Sequence, residues 1–272
     1  MPVTRVGDLN VSYCYTGSAP RLVFVHGLGQ SKESWAYQRE HLTGISSLAY
    51  DVRGHGETSL GAADGTLAQL ATDLVELVRT VTGPATVVGF SLGGVITLKA
   101  VIERPDLIRG AILMGTSSVV GTAAASFYEQ RIRDARDTSS KSFEDAVRQD
   151  TSGGLAQRAA IDDAVFDEYV DARLAAIGDG SGFRNAAAAM VGMRNDPLQP
   201  RVSDIRVPVH VIAAADDALC PVKASRMIVD ALPDGHLHVI ADAGHLMNVE
   251  RPAAVTDTID QAARDITERL AA

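Results

Sequence analysis

Short apolar runs recur along the chain and end in turns that carry glycine, histidine or aspartate. Leu22-Val23-Phe24-Val25, Ala85-Thr86-Val87-Val88 and Ala111-Ile112-Leu113-Met114 are each too short for a helix and show no alternation. Such runs predict strands buried on both faces of a parallel sheet. Residues 45–50, 207–213 and 236–240 predict further strands. Near the start, Val11, Tyr13 and Tyr15 alternate with Ser12, Cys14 and Thr16. That predicts a half-buried strand over 10–16, joined to another at 3–6 through the Gly7-Asp8 turn.

Between the strands the period changes. Leu67, Leu70, Leu74, Leu77, Val78 and Val81 fall at helical spacing and predict a helix over 66–81, stopped by Gly83-Pro84. Helices are predicted at 31–42, with Ser31 or Ser34 as N-cap and Trp35 beneath the adjoining loop, and at 94–101, closed by Pro105. Two more are predicted at 222–232 and 251–270. Alternating strands and helices predict an α/β class, with a mostly parallel, doubly wound sheet.

From 115 to 200 no buried strand is evident. Helices are predicted at 127–136, 142–149, 162–177 and 183–193, interrupted by Gly153-Gly154 and Gly178-Asp179-Gly180. Ordinary connections are far shorter. The expectation is an inserted helical cap over 119–199, with residues 1–118 and 200–272 forming the core.

The chemistry gathers at strand ends. Gly89-Phe90-Ser91-Leu92-Gly93 is a G-x-S-x-G pentapeptide with a predicted strand before it and a helix after it. That is the context of a nucleophile elbow, a strained turn that presents a serine hydroxyl at a helix N-terminus. A serine is a poor nucleophile near neutral pH unless a base activates it and an acid holds the base. Asp216 and Asp217 follow the 207–213 strand, and His245 follows the 236–240 strand. Of the seven histidines, His236 and His238 lie within a predicted strand, and His41 and His210 are remote from these ends. His26 and His55 sit in turns, where backbone ordering is the simpler role.

Five motifs in order carry a family resemblance: His26-Gly27-Leu28-Gly29, Asp51-x-Arg53-Gly54-His55-Gly56, the elbow, Asp216-Asp217 ending at Pro221, and Gly244-His245 leading to Glu250-Arg251-Pro252. The chain resembles the α/β-hydrolase superfamily, in its serine branch with a helical cap. The resemblance implies Ser91 as nucleophile, His245 as general base and Asp217, four residues before Pro221, as the acid. The alternative acid position, Gly115-Thr116-Ser117-Ser118, holds no carboxylate. The resemblance also implies an oxyanion hole from the Leu28 and Leu92 backbone N–H groups. The loop at 26–29 lacks the lysine of a phosphate-binding loop.

The implied activity is cleavage of a small carboxylic ester, lactone or thioester through an acyl-enzyme. Cleavage of a C–C bond in a diketone-type compound, or of an amide, uses the same residues. A ligand-binding receptor on this scaffold is a further alternative. Neither a metal nor an organic cofactor is called for. Cap arginines, among them Arg131, Arg133, Arg136, Arg173, Arg184 and Arg194, face numerous cap acids. Solvated helix ion pairs are therefore expected, rather than a carboxylate clamp.

Composition narrows the partners. A net charge of −9 argues against nucleic acid. No apolar run approaches the roughly 20 residues that span a bilayer. Cys14 and Cys220 are far apart and lack metal-type spacing, and the first 17 residues lack a signal-peptide pattern. The expectation is a cytoplasmic protein with a small-molecule substrate, its state as monomer or homo-oligomer left open.

Overall fold

The computed structural model describes residues 2–19 and 21–271. Its frame is an eight-stranded sheet in the order β1-β2-β4-β3-β5-β6-β7-β8. The strands are β1 (Val3–Val6), β2 (Leu9–Thr16), β3 (Leu22–Val25), β4 (Ser47–Tyr50), β5 (Ala85–Phe90), β6 (Ile108–Met114), β7 (Val209–Ala214) and β8 (Gly235–Ile240). β1 and β2 form an antiparallel hairpin, and β2 pairs antiparallel with β4; the other six run parallel. Every residue of β3, β4, β5 and β7 is buried. That is why these strands read as continuous apolar runs. The strand order reverses between β3 and β5, where Val25 lies level with Gly89. Ligand sites in open parallel sheets form at such a reversal, outside the carboxyl ends of the strands.

Helices cover both faces: α1 (Ala36–His41), α2 (Leu67–Leu77), α3 (Leu92–Glu103), α8 (Val222–Ala231), α9 (Met247–Glu250) and α10 (Pro252–Ala271). Thr66 caps α2 by accepting from the Gln69 N–H. α3 is buried from Leu92 to Val101, so its sequence is apolar on all sides. Its one buried cation, Lys99, reaches out to Glu103 at 2.9 Å. One apolar cluster joins α2 and α3 to the sheet. The other joins α10 and Trp35 to the opposite face. Each fully buried Leu, Val or Ile in them contributes about 1.5–3 kcal/mol.

Four helices lie between β6 and β7: α4 (Thr122–Asp134), α5 (Lys141–Gly153), α6 (Asp163–Ile177) and α7 (Ser181–Gly192). Phe143, Val147, Phe166, Val170 and Phe183 form an apolar cluster of their own. Phe143 and Phe183 meet edge to face at 6.2 Å. α7 also feeds Ala186, Ala189 and Met190 into the main core, which ties the insert to the sheet.

Three details depart from the sequence expectation. The stretch expected as one helix over 31–42 is a 3-10 turn, Lys32–Trp35, followed by α1. Trp35 is 1% exposed and packs on Phe24 at 4.8 Å, in the core rather than beneath a loop. The helix expected to reach Val81 ends its regular part at Leu77 and widens over Val78–Thr82, where the Gly83 N–H reaches back five residues to the Val78 carbonyl. Among the described residues no helix is long and apolar enough to cross a membrane.

Candidate active site

Ser91 sits between β5 and α3 with φ 52° and ψ −115°, a conformation costly for a residue with a side chain. The neighbourhood enforces it. The Ser91 N–H donates to the Met114 carbonyl at 2.8 Å, and its carbonyl accepts from the Thr116 hydroxyl at 2.8 Å. A Cβ at Gly89 would collide with the Gly93 carbonyl and the Thr97 hydroxyl, and one at Gly93 with the Val25 carbonyl. Both glycines of the pentapeptide are therefore required by close backbone approach.

His245 Nε2 lies 3.0 Å from Ser91 Oγ, and His245 Nδ1 lies 2.8 Å from Asp217 Oδ2. The other Asp217 oxygen accepts from the Leu219 and Cys220 N–H groups at 2.8 and 2.7 Å. Burial alone would raise the Asp217 carboxyl, but the His245 ring and these two N–H groups outweigh it and hold the carboxyl below the usual range. An ionised Asp217 accepts from Nδ1–H, which leaves Nε2 free to accept from the serine. Asp216, the other candidate, is exposed and joins the network only through its backbone. The His245 loop is fixed from below by Glu250, a carboxylate that sequence reasoning had left within a motif without a role. Glu250 accepts from the Gly244 N–H at 2.7 Å and from the Gln157 N–H at 3.0 Å.

The loop after β3 faces the elbow. His26 behaves as expected of a backbone-ordering residue: Nε2 accepts from the Val52 N–H at 2.9 Å, so Nδ1–H donates to the Gly27 carbonyl at 2.8 Å. Burial holds its ring below the ordinary histidine value and keeps it neutral. Gln30, which the sequence did not single out, accepts from the Gly27 N–H at 2.8 Å and donates to the Tyr169 hydroxyl at 2.7 Å. Among the described residues, neither the Leu28 nor the Leu92 N–H has a protein acceptor. Both remain free to donate to a ligand oxygen.

Ser91, His245 and Leu28 open onto a cavity of about 610 Å³, walled on the insert side by Phe127, Tyr128 and Phe183. Most of the insert's ion pairs follow expectation. Arg131 grips Asp150 through two bonds of 2.6 Å and Asp134 at 2.8 Å, and Arg158 pairs with Asp163 at 2.6 Å. Of the six arginines named from the sequence, only Arg131 pairs in this way; Arg133, Arg136, Arg184 and Arg194 have no carboxylate within 4.0 Å among the described residues, and neither has Arg173, the one of them in the cavity wall. Arg173 donates instead to the Thr151 hydroxyl at 2.7 Å.

A family model described as "Alpha/beta hydrolase family" matches residues 22–258. BpoC of Mycobacterium tuberculosis (strain ATCC 25618 / H37Rv) is 29% identical over 254 residues, covering 91% of this chain and 95% of that protein. The 3-oxoadipate enol-lactonase 2 of Acinetobacter baylyi is 26% identical over 259 residues, covering 93% and 92%. The crystal structure of the enol-lactonase from Burkholderia xenovorans LB400 superposes with a TM-score of 0.85 at 24% identity, covering 96% of this chain and 99% of that one. At that identity the likeness speaks for the fold alone.

Proposed function

The chain belongs to the alpha/beta hydrolase family and is a hydrolase; from that premise we propose that it cleaves a small carboxylic ester or lactone through an acyl-enzyme on Ser91. The observation that carries the reading is the unbroken chain of hydrogen bonds from Ser91 through His245 to Asp217, with Ser91 and His245 in the wall of the cavity. A relative named as an enol-lactonase makes a lactone or ester the first class to test.

In this mechanism Ser91 Oγ attacks the substrate carbonyl carbon while His245 Nε2 takes its proton. Asp217 keeps the proton on Nδ1 and stabilises the imidazolium that forms. The new oxyanion lies against the Leu28 and Leu92 N–H groups, helped by the N-terminus of α3. The imidazolium then gives its proton to the departing alkoxide. A water, deprotonated by His245, attacks the acyl-serine; the bond from Ser91 Oγ to the acyl carbon then breaks, His245 returns the proton to Oγ, and the acid leaves. Donors already fixed in place need no reorganisation during the reaction, and one such donor is worth about 10²–10³ in rate. Residues 119–199 serve as the cap in this reading, shaping the acyl pocket and excluding bulk water.

The test is hydrolysis of p-nitrophenyl butyrate and of a small lactone by wild type and by Ser91→Ala. The expected result is turnover by wild type and a loss of about 10⁵–10⁶-fold in the variant. Equal rates in the two proteins would overturn the reading.

A further inference from the structure

We infer that the cavity is built for a substrate bearing a carboxylate, seated on Arg173 beside the loop that holds Leu28. The inference rests on the proposed Ser91 site and names the class of ester or lactone that site takes. A guanidinium has five N–H donors and charges its surroundings whatever the pH. Arg173 uses one of them well, on the Thr151 hydroxyl at 2.7 Å. Two others point at the Leu28 and Gly29 carbonyls at 3.4 Å, at the long limit of a hydrogen bond.

The cavity wall contains one carboxylate that could balance this cation, Asp150, and Arg131 holds both of its oxygens at 2.6 Å. Burial weighs on the Arg173 guanidinium and the Arg131 cation adds to it, while Asp150 offsets only part of that. Keeping a half-buried cation without a counter-ion is costly, and a ligand carboxylate in the same cavity relieves that cost. The head group lies against the loop that holds Leu28. Tyr169 and Arg173 are one turn apart on α6, and both reach the loop at 28–30. An anion seated there lies next to the loop that carries Leu28, in the cavity that Ser91 also lines. The geometry of guanidinium and carboxylate allows two parallel hydrogen bonds.

The test compares two esters of the same shape, mono-4-nitrophenyl adipate and 4-nitrophenyl 6-oxoheptanoate. A methyl ketone replaces the carboxylate in the second. Wild type is expected to favour the adipate by about 10- to 100-fold in kcat/KM. Arg173→Gln is expected to bring that ratio close to one, and Arg173→Lys to keep part of it. A wild-type ratio at or below one would overturn the inference. So would an Arg173→Gln protein that slows both esters equally, the result of a purely structural arginine. If Ser91→Ala cleaves both esters as fast as wild type, the proposed chemistry on Ser91 falls, and binding decides the subsite. In a Ser91→Ala background, monomethyl adipate should raise the melting temperature more than dimethyl adipate does. Loss of that difference in Ser91→Ala/Arg173→Gln supports the subsite, and equal shifts from the two ligands without the second substitution exclude it.

Discussion

Strand β7 has a histidine–aspartate pair at each end, and only one of them sits in the proposed site. Past its carboxyl end, Asp217 holds His245 at 2.8 Å. At its amino end, His210 Nε2 donates to Asp265 at 2.9 Å. The bonds are alike, so a paired imidazole is not what distinguishes the site. The difference lies in the other ring nitrogen. His245 Nε2 meets a serine hydroxyl that lines the cavity. His210 Nδ1 meets His238 Nε2 at 2.9 Å, and the two rings stack 5.2 Å apart. Asp265 is shared with Arg269 at 2.6 Å. One end of the strand therefore leaves a base with a proton to take, and the other closes its network on itself. Sheet topology explains this. The elbow, the loop after β3 and the N-terminus of α3 all lie at the carboxyl ends of the strands.

Substitution at the two ends should separate catalysis from support. His245→Ala is expected to lower kcat/KM on p-nitrophenyl butyrate by about 10⁵–10⁶-fold. His210→Ala is expected to leave kcat/KM within about threefold. It should instead lower stability by about 1–3 kcal/mol, because His238 and Asp265 lose their buried partner. A His210→Ala protein that folds but has lost activity would break the distinction.

The aspartates sharpen it. Asp217→Asn keeps the shape but favours the wrong imidazole tautomer, and an activity loss of about 10⁴-fold is expected. Asp265→Asn removes a charge from His210 and Arg269 and should appear only in thermal unfolding.

The smallest effect concerns acid. Burial holds His210 and His238 below the ordinary histidine value of 6.5, in His210 despite Asp265. Burial also holds His55 at about 3. Below pH 6.5 the unfolded chain takes protons on these residues that the folded chain refuses, so stability falls as pH falls. Asp217, held below the ordinary 3.8, stabilises the fold above that value and loses its contribution as pH drops through its lowered one. Melting temperature should therefore decline from pH 6.5 downward, less steeply in His210→Ala. A flat profile to pH 4.5 would contradict this.

The sheet was legible because parallel strands buried on both faces leave unbroken apolar runs, as at Leu22–Val25. The proposed site was legible because each of its side chains ends a strand. β8 was read over 236–240, within one residue of Gly235–Ile240, although its edge position leaves it only partly buried. The four-residue α9 has too few positions to show a period. α4 begins five residues before the expected 127, because its first turn, with three alanines, carries no apolar stripe. Arg173 could not be told from the other cap arginines. Whether an arginine has an acid beside it depends on chain packing, which spacing along a helix does not encode.

The central claim is that His245, and not a histidine elsewhere, makes Ser91 reactive. It is tested most directly by exposing the protein to a fluorophosphonate and locating the adduct by mass spectrometry. Wild type and His210→Ala should each carry one phosphonyl group on the peptide containing Ser91, with none above background in Ser91→Ala or His245→Ala. An unlabelled wild type, or undiminished labelling in His245→Ala, would contradict the account.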